Sequence, residues 1–190
     1  MKRIISLLLV LILSFGLASC NSGNNDDGHD HNHDSTEHFV SYFKSGIYFS
    51  LPEDFVTKKL SYGDYVYTDG NHAYFIINIY DEVTLEEDMY LPASISVREF
   101  AQIRVNDMMC GDYKYDEKND VATFDYVYEY NDGSGMPNEY YSYMIMRNEA
   151  VLVQIVLTCD EVDLPTYKDT FSAIFKTISL EQITGSEVEG

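Results

Sequence analysis

Apolar and polar positions repeat with two periods along this chain, and each period marks a different kind of element. The two-residue period is clearest from Val121 to Tyr130. Phe124, Tyr126, Tyr128 and Tyr130 fall on one face there, with Thr123, Asp125, Val127 and Glu129 on the other. Strict alternation predicts a strand with one face against a core. Ala73–Tyr80 reads the same way, with Ala73, Phe75, Ile77 and Ile79 on one side. Tyr140–Arg147 follows the turn-forming stretch from Asn131 to Pro137 and predicts a returning strand, and Asn148-Glu149 turns the chain again. Val151–Thr158 is apolar almost throughout, which predicts a central strand covered on both faces. Gly46–Phe55 reads as a short strand stopped by Pro52, with two more at Val56–Leu60 and Tyr65–Thr68. Asp69-Gly70-Asn71 is a hairpin signal.

Two stretches switch to the helical period. Val97, Phe100, Ala101, Val105 and Met108 share one face, and Ser96 with Glu99 forms a capping-box pattern just before them. The helical spacing runs through about Met109, and Gly111 is the expected stop just past it. Tyr167, Phe171, Ile174, Phe175 and Ile178 form a second stripe, with Pro165 at the start where its fixed φ is tolerated. The tail after Leu180 is acidic and is expected to fray. The order is ββββ-α-βββ-α with no internal repeat. It predicts an α+β fold: an antiparallel sheet of six to seven strands covered by two main helices.

The N-terminus has a different character. Met1-Lys2-Arg3 is a short basic start, and Ile4–Leu17 is apolar apart from Ser6, Ser14 and Gly16. A basic start, a short apolar core and small residues at a cleavage site describe a secretory signal. The run is too short for a spanning helix. Leu17-Ala18-Ser19-Cys20 resembles the lipobox of bacterial lipoproteins. That resemblance implies a signal peptide over residues 1–19 and a diacylglyceryl-modified, lipid-anchored Cys20. Residues 20–38 then form an expected flexible linker, and residues 39–190 a single domain.

Composition narrows the partners. The chain has 12 Lys and Arg against 32 Asp and Glu, a formal net charge of −20, and signal cleavage would remove two of the cations and no acid. Such a surface repels phosphate backbones, so nucleic acid is excluded as a partner on charge. Trp is absent, while 17 Tyr and 10 Phe favour a folded sheet over disorder. Cys110 and Cys159 remain as an even pair once Cys20 is assigned. In an exported chain they are either a disulfide or two buried free thiols.

The linker concentrates histidine. His29, His31, His33 and His38 lie there among Asp26, Asp27, Asp30 and Asp34. In an extended chain positions i, i+2 and i+4 point the same way, so His29, His31 and His33 could converge on one ion. Imidazole and carboxylate ligands suit a zinc-type divalent metal. The alternative is a solvated polar spacer. A calcium loop counted from Asp30 fails, because the required Gly falls on Ser35 and the terminal Glu on Ser41.

The domain itself resembles a known family. Its basis is the Gly46–Phe55 opening with Pro52, the mid-chain helix, three meandering strands and the closing Phe171-x-x-Ile174-Phe175-x-x-Ile178 pattern. Together these resemble the PsbP-like fold of the photosystem II extrinsic protein, a small Ran-binding protein and bacterial lipoproteins such as DcrB. The likeness covers Gly46 to Leu180. It implies a non-catalytic binding or assembly protein. No site motif of that family is matched here.

A search for catalytic chemistry finds weak signals only. Gly133-Ser134-Gly135 lies in a turn, and no phosphate-binding glycine loop or His-Glu-x-x-His is present. His72 is either a turn residue or a lone base. Glu86, Glu87 and Asp88 are either an acid pair or a solvated loop. Tyr126, Tyr128, Tyr130, Tyr141 and Tyr143 either stack on sugars or pack across strands. The expected function is thus a non-enzymatic, membrane-anchored extracytoplasmic lipoprotein with a binding or envelope-assembly role and a possible protein partner in the envelope. The alternative is metal handling through the His/Asp tract.

Overall fold

The most apolar run of the sequence becomes the centre of the fold. The computed structural model describes residues 38–60, 63–131, 133–149, 151–180 and 188–189, all within the unit Thr36–Gly190. The signal peptide, Cys20 and the linker before His38 lie outside the described residues. The described strands are β1 (Phe39–Lys44), β2 (Ile47–Pro52), β3 (Val56–Thr57), β4 (Tyr65–Thr68), β5 (Tyr74–Tyr80), β6 (Lys114–Asp116), β7 (Val121–Tyr128), β8 (Glu139–Asn148), β9 (Val151–Asp160) and β10 (Val188–Glu189). The helices are α1 (Val97–Met108) and α2 (Leu164–Thr177).

Seven strands form one sheet in the order β3-β4-β5-β9-β8-β7-β6. Every neighbouring pair is antiparallel. β9 sits fourth of the seven, as its continuous apolar pattern requires. Its alternate residues serve two cores. Val153, Ile155, Leu157 and Cys159 face one side, and Leu152 and Val156 the other. Gln154 is buried on that second face, where its side-chain oxygen accepts from Arg104 Nε at 3.2 Å.

The first core lies under α2 and a small second sheet, ordered β10-β1-β2. Ile47, Phe49 and Leu51 of β2 and Phe171 and Ile174 of α2 meet Phe75, Ile77, Ile155 and Leu157 of the large sheet. Phe49 stacks on Phe75 with centroids 4.9 Å apart, and Tyr67 meets both rings edge-on. The end of α2 is tied to β2: the Ser50 N–H donates to Thr177 Oγ1 at 2.9 Å, and Tyr48 and Ser179 exchange backbone bonds. The second core lies under α1, where Val97, Phe100, Ala101 and Val105 meet Ala122, Phe124, Tyr143 and Ile145.

Local chemistry explains the element ends. Ser96 Oγ accepts from the Glu99 N–H at 3.1 Å, and the Glu99 carboxylate accepts from the Ser96 N–H at 3.0 Å, completing the expected capping box. Such a cap contributes about 1 kcal/mol. The β1–β2 turn uses Ser45 and Gly46, both at positive φ (51° and 79°), the combination that suits a two-residue hairpin. Asn148 Nδ2 donates to the Ser45 carbonyl across it at 3.1 Å.

Several expectations need correction. Met109, at φ 55°, takes the left-handed position that ends α1, and Gly111 follows two residues later. The strand expected over Val56–Leu60 is shorter: Val56 and Thr57 pair with β4, and the Lys58 N–H makes one further bond to the Val66 carbonyl at 2.8 Å. β1, β6 and β10 were not expected. The acidic stretch at Glu86–Asp88 belongs to a π-helical turn, Thr84–Asp88, whose start is held by Thr84 donating to Asp81 Oδ1 through N–H (2.8 Å) and hydroxyl (2.7 Å).

Phe75→Ala tests the first core. The ring is fully buried, so its loss leaves a cavity beneath Phe49. We expect about 3–5 kcal/mol of destabilisation, read as a lower denaturant midpoint with an unchanged m-value.

Candidate functional site

α2 packs on β2 and β9, and the space between its other flank and β7–β8 stays open. This groove has a volume of about 450 Å³, within the range typical of small-molecule sites. The helix wall consists of Leu164, Lys168, Phe171, Ser172, Phe175 and Lys176. Their spacing of three and four residues places them on one stripe. The sheet wall consists of Thr123 and Asp125 from β7 and Tyr140, Ser142 and Met144 from β8. These alternate along their strands, and Thr123 pairs with Met144 and Asp125 with Ser142 across the register.

Leu164, Phe171 and Phe175 from the helix and Met144 from the sheet give the groove its apolar surface, and Thr123, Asp125 and Ser142 add polar groups on the sheet side. Lys168, Ser172 and Lys176 are exposed. Ser142 donates its hydroxyl to Asp125 Oδ1 at 2.7 Å. The Tyr140 hydroxyl is also bonded to Asp125, and its pKa is pushed up to about 12, by burial first and by that carboxylate second. Asp125 is therefore already engaged by two neutral hydroxyls. Neither lysine makes an ion pair among the described residues; the one charged contact there within 4 Å is His72 Nδ1 to Asp160 at 3.9 Å.

Of the tyrosines singled out by sequence, Tyr126, Tyr141 and Tyr143 lie on the opposite face, toward α1. Phe124 stacks on Tyr143 at 4.6 Å, Tyr126 meets its cross-strand partner Tyr141 at 6.3 Å, and Tyr128 meets Tyr130 edge-on at 4.8 Å. Tyr141 donates to Glu139. Burial raises the pKa of Tyr141 and of Tyr143. These rings are engaged with one another across β7 and β8.

The remaining sequence candidates are dispersed. His72 is exposed at positive φ (87°) beside the β4–β5 turn. There Asp69 Oδ1 accepts from the Asn71 N–H at 2.8 Å, and its other oxygen accepts from the Tyr167 hydroxyl. Glu86 accepts from the Ala93 N–H at 3.4 Å. His38 is exposed, and no group of three or more His, Cys, Asp or Glu side chains is placed to hold a metal among the described residues. His29, His31, His33, Asp30 and Asp34 lie outside them.

Of the two alternatives for Cys110 and Cys159, the possible disulfide is not formed: both are free thiols. Cys159 is in the α2 core and Cys110 packs against the α1 core, so the sheet lies between the faces they occupy. Burial, then Asp163, Asp160 and Asp69, pushes the Cys159 thiol up to about 12, which leaves it protonated and unreactive.

Comparison of the sequence with protein-family models finds no match. Comparison with curated proteins finds none either. Similar solved structures include the Saccharomyces cerevisiae Ran-binding protein Mog1p, at 10% identity and a TM-score of 0.49, covering 76% of this chain and 96% of that one. Cyanobacterial PsbP from Synechocystis is similar at 12% identity and a TM-score of 0.46, covering 87% and 99%. LpqN of Mycobacterium tuberculosis, described as involved in cell envelope biogenesis, is similar at 8% identity and a TM-score of 0.44, covering 77% and 86%. The α+β assignment rests on the strand order and helix placement above.

Thiol labelling checks the cysteine arrangement. In denaturant, without reductant, both Cys110 and Cys159 should label fully. Under native conditions Cys159 should label far more slowly than Cys110. A pair that labels only after reduction would contradict the geometry.

Proposed function

We propose that this chain is a lipid-anchored, extracytoplasmic binding protein of a bacterial envelope, with no catalytic role. Leu17-Ala18-Ser19-Cys20 carries this reading. It supports cleavage before Cys20, diacylglyceryl attachment to its sulfur and N-terminal acylation, commonly by palmitate. Two acyl chains suffice for stable anchoring where one is marginal. No helix among the described residues is long and apolar enough to cross a membrane, so the anchor supplies the attachment in this reading.

The domain supports binding over chemistry. Among the described residues that line the groove, Asp125 is the only carboxylate and none is histidine or cysteine. General acid–base or nucleophilic catalysis needs a reactive group with an adjacent partner to activate or orient it. Here the carboxylate accepts from hydroxyls, and the lysines have no neighbouring base along the lining. The groove offers recognition without an assembled reaction centre. A protein partner elsewhere in the envelope fits the same reading.

The His/Asp tract favours a second role. His29, His31 and His33, with Asp30, Asp34 and His38 nearby, support capture of a zinc-type ion by the linker.

Two measurements test these readings. Wild-type protein should partition with the membrane fraction and incorporate labelled palmitate, whereas Cys20→Ala should do neither; a variant that stays in the membrane would refute the anchor. Zinc titration of the full chain should lose its strongest site when His29, His31 and His33 are replaced by Ala. Equal binding by both forms would refute the metal reading.

A further inference from the structure

We propose that the groove between α2 and β7–β8 binds a long-chain fatty carboxylate, with its acyl chain along Leu164, Phe171, Phe175 and Met144 and its head group at Lys168 or Lys176. This deepens the binding reading above and rests on it.

Shape supports a chain-like body. The helix wall runs from Leu164 to Lys176, about 18 Å of helix axis, so the groove is elongated. Met144, Phe171 and Phe175 supply its apolar lining, and a thioether among rings adapts readily to a flexible chain. An acyl chain brings no polar atoms that would need partners along that lining.

Charge supports an anionic head. Two cations, Lys168 and Lys176, line the groove against the one carboxylate Asp125, and like every Lys and Arg among the described residues they make no ion pair. Asp125, across the groove, is held by Ser142 and Tyr140. The lysines stand eight residues apart, about 12 Å along the axis, with Ser172 midway. A head group at either one meets an ammonium group, with the Ser172 hydroxyl one helical turn away. The surrounding negative field repels small anions, and exposed lysines alone hold them weakly. A carboxylate therefore binds only when an apolar body brings it there, and a free head group does not.

The test uses the full chain carrying Cys20→Ala, so that no acyl chain of its own competes. The probe is cis-parinarate, a fluorescent long-chain carboxylate, displaced in turn by hexadecanoate, hexadecanol, acetate and an acidic amphipathic peptide. We expect saturable binding of one probe per chain and displacement by hexadecanoate. Hexadecanol should be at least tenfold weaker, and acetate should have no effect. The double variant Lys168→Gln/Lys176→Gln should bind the probe at least tenfold more weakly, and raised salt should weaken the wild type toward it. Ser172→Trp, at an exposed position of the lining, should block binding while its thermal unfolding matches the parent. No saturable binding by folded protein would overturn the proposal, as would unchanged affinity in both variants or hexadecanol equalling hexadecanoate. Displacement by the peptide but not by hexadecanoate would overturn it in favour of a protein ligand. Failure here with Cys20-dependent membrane attachment intact removes only the ligand; loss of that attachment removes the lipoprotein reading whatever the probe does.

Discussion

Strand β9 has two apolar faces, and most of the architecture answers that constraint. A strand covered on one side only would leave either the Val153–Ile155–Leu157 row or the Leu152–Val156 row in water. Each exposed aliphatic side chain forgoes about 1.5–3 kcal/mol of burial. The chain meets the requirement with different devices on the two sides. On one side α1, clipped at its start by the Ser96–Glu99 box, lies over Phe124, Tyr143 and Val156. On the other, α2 shares the work with the β1–β2 hairpin, joined to it through Thr177 and Ser50. Because the hairpin takes part of that face, α2 is free to leave a flank open over β7 and β8. The groove is a by-product of covering one face with two unlike pieces.

Elements with a strong period were legible in the sequence. β5, β7, β8 and β9 fall where alternation or a continuous apolar run puts them, and both helices match their stripes. β1 was missed because Phe39–Lys44 is only half-buried and has no breaker between it and the linker. β6 pairs through three residues, too few to show a period. β10 pairs through two, in a tail whose composition reads as frayed. The end of α1 falls where its stripe puts it, at about Met109, but the capping residue is a different one. Gly111 looked like the stop, but Met109 takes the left-handed conformation that glycine usually supplies.

The site was less legible than the fold. Sequence pointed to tyrosines, a lone histidine and an acidic loop, all chosen by residue type. The tyrosines proved to be partners of one another, and His72 a strained turn residue. The groove depends on how far α2 reaches across the sheet, which is a tertiary fact with no local signature. One signal was present: Lys168, Ser172 and Lys176 follow one another at four-residue steps beside the apolar stripe. A cationic stripe is unusual in so acidic a chain. Likewise, the separation of Cys110 from Cys159 follows from which face of the sheet each one meets, and cysteine parity carries no information about that.

The β1–β2 hairpin also has a mechanical meaning. Phe39 pairs with Pro52 at its open end, while Ser45 and Gly46 close the other. A pull applied upstream of Phe39 therefore loads the ladder at one terminal rung and breaks its bonds in sequence rather than all together. β1 would have to leave β2 and its two-residue pairing with β10 before the large sheet felt the load. β2 would remain in place, held to the end of α2 by Thr177 and Ser179. The small sheet is thus the part of the fold that would yield first to such a load, while the seven-stranded sheet stays whole.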